Sequence, residues 1–306
     1  LAPAIEQGDA GPRQLPRQAR GGGKPGRAGP DNDDARAGLH GGAGAARGVR
    51  ATPRGALFAR APAARCTVVE TGQTFDRLQQ AVDAIGDGRG TIAIAPGRYA
   101  ECAVQRAGFV SFLAAEPGTA LCEGKAALVL RGSGAEVSGL VFEDMRVPDF
   151  NGAGIRLERG DLTVALSWFR DSQQGILTAD DANGRIVIDR STFTRLGTCE
   201  GAGGCAHSIY VGDYAHLRVT RSRFEAGRGG HCVKGRAVRT DIASSSFDDS
   251  RGQQTNYMID LPNGSIGQIS NNWFVQGQDK ENYSAFIAIA AEGRENPRAG
   301  LVIVGN

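Results

Sequence analysis

HLRVTRSRFEAGRGGHCVKGR, residues 216–236, has the outline of one turn of a coil. A short alternating strand runs up to Phe224. A glycine-rich corner follows at 226–230, and a second short strand carries His231, Val233, Lys234 and Arg236. On either side the same outline returns. An aliphatic residue stands five places before a Phe, with a small or polar residue usually between them: VSGLVF (137–142), VALSWF (164–169), IDRSTF (188–193), VTRSRF (219–224), IASSSF (242–247) and ISNNWF (269–274). The Phe residues are spaced by 27, 24, 31, 23 and 27 residues, which suits rungs of constant strand length joined by corners of variable length. A stacked Phe ladder would fill the interior, and a ladder of Ser and Asn could satisfy the backbone of the turns.

A second strand aligns from rung to rung without gaps: GIRL (154–157), GILT (175–178), SIYV (208–211), CVKG (232–235) and MIDL (258–261). Strand side chains alternate between faces. Ile155, Ile176, Ile209, Val233 and Ile259 should therefore point inward, with Arg156, Leu177, Tyr210, Lys234 and Asp260 outward in one column. Neighbouring strands lie about 4.8 Å apart, so the column would be a continuous exposed ridge or groove floor. His207, His231 and Tyr257 share a register three residues before it, and the segments AHSIYVGD (206–213) and GHCVKGRA (230–237) carry the densest polar cluster of the chain. The corner loop at 197–206 lengthens at the same place, and long loops over a solenoid face often wall a groove.

Composition narrows the function. The 306 residues are 41% hydrophobic, with 45 Gly and a formal net charge of +2. Residues 1–65 hold 11 Lys/Arg against 5 Asp/Glu, leaving 24 against 28 for the remainder. A weakly acidic body argues against a nucleic-acid partner, which would need a clustered basic face. No apolar run is long enough to span a membrane. No secretory signal is visible, which says little in a chain that begins with Leu1. Residues 1–65 are rich in Gly, Ala, Arg and Pro without an apolar period, and are expected to be a disordered tail. Residues 66–306 are expected to form one domain. Cys199 and Cys205 bracket a loop that a disulfide could close, while Cys102 and Cys122, one coil apart, could stack or bridge.

Within 74–85, Phe75, Leu78, Val82 and Ile85 fall on one helical face, with Thr74 as N-cap and Gly86 and Gly88 ending the helix. An amphipathic helix here would cover the open end of the solenoid core. TFDRLQQAVDAI (74–85) followed by GDGRGTIAIAPGRYAE (86–101) resembles the entry segment of pectin-lyase-like right-handed parallel β-helix proteins, and the likeness runs from Cys66 to the end. The expected fold is therefore all-β, a right-handed parallel β-helix with an N-terminal capping helix. The chain ends at GLVIVGN, mid-coil in this register, so further C-terminal coils or a partner at that end are expected.

The resemblance also implies chemistry. In β-helix polysaccharide lyases a strand-borne Lys or Arg removes the proton beside a uronate carboxylate, which implies that role for Lys234. That step needs a neutral Lys234. Arg236, on the same face, works toward neutrality by like-charge repulsion, and Asp260, one rung away, works against it. Arg236 could pair with the substrate carboxylate and the developing enolate, while Tyr210 protonates the leaving oxygen with help from His207 or His231. Asp260, Tyr257, Asp213 and Arg156 are assigned to substrate binding. No acidic cluster resembles the calcium sites of pectate lyases and no metal ligand is assigned, although calcium stays open as a cofactor. Asp180 and Asp181 are read as a turn before Asn183 and Gly184.

The leading reading is a polysaccharide lyase, secreted or periplasmic and monomeric, cleaving an acidic polysaccharide by β-elimination. Two others stay open. One is an inverting glycoside hydrolase using Asp213 and Asp260, two rungs or about 9.6 Å apart. The other is a non-catalytic carbohydrate-binding or surface solenoid.

Overall fold

The computed structural model describes residues 64–122, 124–200, 204–297 and 299–306. The expectation of a disordered tail lies outside them, except at its last two residues. Arg65 already belongs to the fold: its N–H donates to the Phe75 carbonyl at 3.1 Å, and its guanidinium pairs with Glu101 at 2.8 Å.

Strands among the described residues form three sheets of 11, 8 and 8 members, and each rung of the coil contributes one strand to each sheet in turn. Neighbours in every sheet are about one rung apart in sequence and parallel; the exceptions are the two antiparallel pairings of Cys66–Val68 with Thr74–Phe75 and with Arg89–Ile94. Crossover connections between parallel strands are right-handed. The fold is a right-handed parallel β-helix: the repeats predict the stacked rungs, and the resemblance implies their hand.

The stretch at 216–236 holds three strands rather than two: Tyr214–Thr220 in the first sheet, Arg223–Glu225 in the second and Val233–Gly235 in the third. What reads as one strand up to Phe224 is broken at Arg221, whose φ is 49°. The third strand is also shorter than expected, with His231 just before it and Arg236 just after.

Both predicted ladders are present. Phe142, Phe169, Phe193, Phe224, Phe247 and Phe274 stack with ring centroids 4.7–5.0 Å apart. At the corners before Phe169, Phe193, Phe224 and Phe247, the backbone N–H of one rung donates to the Ser or Asn side chain of the next. Ser167 donates to Ser191, Ser191 to Ser222, Ser222 to Ser245 and Ser245 to Asn272, at 3.0–3.3 Å. Each of the three acceptor Ser hydroxyls donates in turn to the carbonyl two residues earlier. Buried N–H groups at a tight corner cannot reach water, so the ladder satisfies donors that would otherwise destabilise every rung.

The N-terminal end is closed by α1 (Leu78–Ile85), which buries Leu78, Ala81 and Val82. It starts four residues later than expected, because Thr74 and Phe75 pair as a strand with Cys66–Val68. Thr74 is therefore not the N-cap. Arg77 holds that place in an extended conformation without a side-chain bond, and the Leu78 N–H is met instead by the Glu101 carboxylate at 2.7 Å. Gly86, at φ 65°, ends the helix as predicted. Gln79 covers the free edge of the third sheet: its side chain accepts from the Val104 N–H at 2.7 Å and donates to the Val104 carbonyl at 3.1 Å. No helix among the described residues is long and apolar enough to cross a membrane.

Candidate functional site

The outward column lies in the third sheet. Cα pairing joins Arg156 to Leu177, Leu177 to Tyr210, Tyr210 to Lys234 and Lys234 to Asp260, in the predicted order. The intervening Ile155, Ile176, Ile209, Val233 and Ile259 are fully buried. This buried row fixes the parity of each strand, so the residues of the column must point away from the core together.

Over the column runs an open groove of about 560 Å³, whose lining includes His207, Tyr210, His231, Lys234, Arg236 and Glu281. Gly204 and Cys205 also line it, so the lengthened loop at 197–206 does contribute a wall. Cys199 and Cys205 are joined in a disulfide, closing that loop. Their sulfurs and Glu281 lie close enough to serve as metal ligands, but the two sulfurs are bonded to each other. Cys102 is an exposed free thiol, so the bridge to Cys122 is not made.

Charge is concentrated around Lys234. Its ammonium donates to Glu292 Oε1 at 2.6 Å and lies 3.4 Å from Asp260 Oδ2. Arg236 donates to the other Glu292 oxygen at 2.5 Å, to Asn263 Oδ1 at 2.6 Å and to the Tyr210 hydroxyl at 3.2 Å. The two cations hold the Glu292 carboxylate far below its ordinary range, at about 2. Asp260 behaves oppositely. It is only 4% exposed, its Oδ1 has no hydrogen-bond partner, and burial raises its proton affinity despite the nearby Lys234.

Three rings stack beside this centre, His207 on His231 at 4.8 Å and His231 on Tyr257 at 5.7 Å, as their common register predicts. The His231 backbone N–H donates to His207 Nδ1 at 3.0 Å, which places the His207 proton on Nε2. Burial, with the mutual repulsion of the stacked rings behind it, pushes His207 well below the usual imidazole range. Burial and the Lys234 charge take His231 down to about 4. Both rings are neutral near pH 7. His231 Nε2 lies 3.4 Å from Asp260 Oδ2. The Tyr257 hydroxyl accepts from Asn282 at 2.8 Å.

Two of the predicted residues stand apart. Arg156, separated from Tyr210 by the Leu177 rung, is paired with Glu158 at 2.6 Å. Asp213 is exposed, beyond the end of the Ile209–Val211 strand, with its N–H on Asp180. Neither Asp213 nor Asp260 is among the residues that line the groove. Asp181, Asn183 and Gly184 belong to a strand, Asp181–Asp189, rather than to the expected turn; Asp181 accepts from the Asn183 N–H at 3.2 Å where the strand's register shifts before Arg185. The residue that register alone does not reveal is Glu292. It follows the next strand of the third sheet, Ile287–Ile289, and extending the column from Asp260 to Ala288 would have pointed to its loop.

No family model matches the chain, and no curated protein matches it. Two solved structures share its architecture. One is a pectin methylesterase from Aspergillus niger, 13% identical, with a TM-score of 0.51 over 81% of this chain and 92% of that one. The other is the pectin methyl esterase of the rice weevil, 8% identical, with a TM-score of 0.50 over 77% of this chain and 88% of that one. What is shared at such identities is the fold, the right-handed parallel β-helix.

Proposed function

We propose that the protein is a carbohydrate-active enzyme that cleaves a uronate-containing polysaccharide by β-elimination in the groove of the third sheet. The observation that carries this reading is the cation pair Lys234 and Arg236, which together grip both oxygens of one carboxylate beside the Tyr210 hydroxyl. A uronate carboxylate presents the same two oxygens. With a sugar carboxylate on Arg236, Lys234 stands beside the carbon that must lose its proton. The ammonium proton of Lys234 has a nearby acceptor in Asp260, whose burial favours the protonated form. The neutral amine then takes the proton from the carbon next to the carboxylate. Arg236 stabilises the enolate charge, and Tyr210 gives its hydroxyl proton to the departing glycosidic oxygen. One product end carries the new carbon–carbon double bond and the other a free hydroxyl. The Cys199–Cys205 disulfide supports a secreted or periplasmic location.

The two pectin methylesterases that share the fold suggest a second reading, removal of methyl esters from the same kind of polymer. One experiment separates the two. The protein is incubated with a panel of methyl-esterified and de-esterified uronate polymers, following ultraviolet absorbance, new reducing ends and released methanol. Elimination gives absorbance and reducing ends together, hydrolysis gives reducing ends alone, and esterase action gives methanol alone. Lys234→Ala should lower the elimination rate by about 10²–10⁴-fold. Cleavage at the parent rate by this variant removes Lys234 as the base.

A further inference from the structure

Glu292 occupies the position that the proposed reaction gives to substrate. Its loop is fastened down. Glu292 and Gly293 donate backbone N–H groups to the Pro262 carbonyl at 3.1 Å, and the Asn296 N–H donates to the Asn263 carbonyl at 3.1 Å. The Asn296 side chain donates to the carbonyls of Arg236, Ala237 and Gly264 at 2.9–3.3 Å, and Glu295 accepts from Asn263 at 2.7 Å. From this fixed backbone the Glu292 side chain reaches back to Lys234 and Arg236. Its side chain is 47% exposed, whereas those of the lysine and arginine are 13% and 22% exposed. Two largely covered cations are thus closed by a half-solvated anion, the member of the trio best placed to swing away.

We infer that Glu292 is an internal mimic of the substrate carboxylate, a latch that holds the Lys234–Arg236 subsite closed until a sugar carboxylate displaces it. The inference rests on the uronate reading of the groove. The exchange breaks no covalent bond: one carboxylate replaces another on the same donors, and the Glu292 side chain rotates into solvent while its loop stays fastened. The latch adds selectivity, since an uncharged or methyl-esterified sugar has no charge with which to compete for the two cations.

The test is calorimetric binding of de-esterified trigalacturonate, and of its methyl-esterified counterpart, to the full chain and to its Glu292→Gln variant. Melting temperatures confirm that both are folded. A subsite blocked nine-tenths of the time binds about tenfold more weakly than an open one, so Glu292→Gln should tighten the de-esterified trimer about tenfold and leave the esterified trimer unchanged. Equal or weaker binding of the de-esterified trimer by the variant overturns the latch and leaves the groove reading standing. A gain shared by the esterified trimer also overturns it, because the groove would then have been widened rather than unmasked. Failure of both proteins to bind or cleave either trimer overturns the latch together with the uronate reading.

Discussion

Lowering the pH from about 7 to about 5 should cost this fold stability through its two stacked histidines, in a range where most carboxylates are still ionised. His207 and His231 are 8% and 9% exposed, and burial holds both below the ordinary imidazole value of 6.5, His231 at about 4. Between these values the unfolded chain takes up protons that the folded chain refuses. The contribution is therefore complete above about pH 6.5 and declines as the pH falls toward 4. From pH 7 to pH 5, His231 alone accounts for about 2 kcal/mol, and His207, also held below the ordinary imidazole range by burial, acts in the same direction. Carboxylates held low by arginine or lysine, such as Asp171, Asp189 and Glu292, enter only below the ordinary carboxylate range. Asp260, raised by burial, works in the opposite direction as it gains its proton. A loss of at least about 2 kcal/mol is an appreciable share of the roughly 5–15 kcal/mol typical of a folded domain. Urea unfolding followed by tryptophan fluorescence at the two pH values measures it. In a protein carrying both His207→Asn and His231→Asn, the amide oxygen introduced at position 207 can still accept the backbone N–H that the imidazole accepts now. The loss between the two pH values should then shrink to about 1 kcal/mol or less. If the double variant loses as much stability as the parent, the buried imidazoles are not the source and the assignment fails.

The two ladders give the remaining predictions. Phe193 is sandwiched between Phe169 at 4.9 Å and Phe224 at 4.7 Å and is 1% exposed, so Phe193→Ala should destabilise by about 3–5 kcal/mol in the same unfolding assay. A loss below about 1 kcal/mol would mean that the stack is not a packed core. Ser222→Ala leaves the buried Ser191 N–H without its acceptor and should cost about 1–3 kcal/mol, whereas Ser222→Asn should recover most of the loss, because Asn272 fills the same role for Ser245. Equal instability of the two variants would show that the hydroxyl matters for packing rather than as an acceptor.

The column is legible in the sequence because parity is rigid: once Ile209, Val233 and Ile259 face inward, Tyr210, Lys234 and Asp260 cannot avoid facing outward on adjacent rungs. The corner inside VTRSRF is hidden for want of a glycine. Leu166, Arg190, Arg221, Ser244 and Asn271 all take left-handed backbone conformations at this corner, φ 46–56°, where glycine is the usual marker. The strain is about 1–2 kcal/mol per residue. It is offset locally, because the N–H of each of these residues donates to the next rung, as Arg190 does to Thr220 at 3.1 Å and Arg221 to Ala243 at 3.1 Å. One clue does stand in the sequence. Val219 and Phe224 both point inward although they are five residues apart, an odd separation that a single strand cannot provide.

The same distinction between periodic and irregular placement governs the site. Counting rungs without counting position along the rung misplaces Asp213: three residues past Tyr210 it has left the strand, whose last residue is Val211. Glu292 carries no periodic signal at all. Its position depends on the Pro262 carbonyl and on three side-chain bonds from Asn296, contacts that form only after the last rungs have stacked. A charged residue that arrives in this way cannot be read from register. Yet it supplies the nearest partner of Lys234, the residue that register locates best, accepting from its ammonium at 2.6 Å. Strand parity places Lys234 in the column, and the loop places the carboxylate that pairs with it.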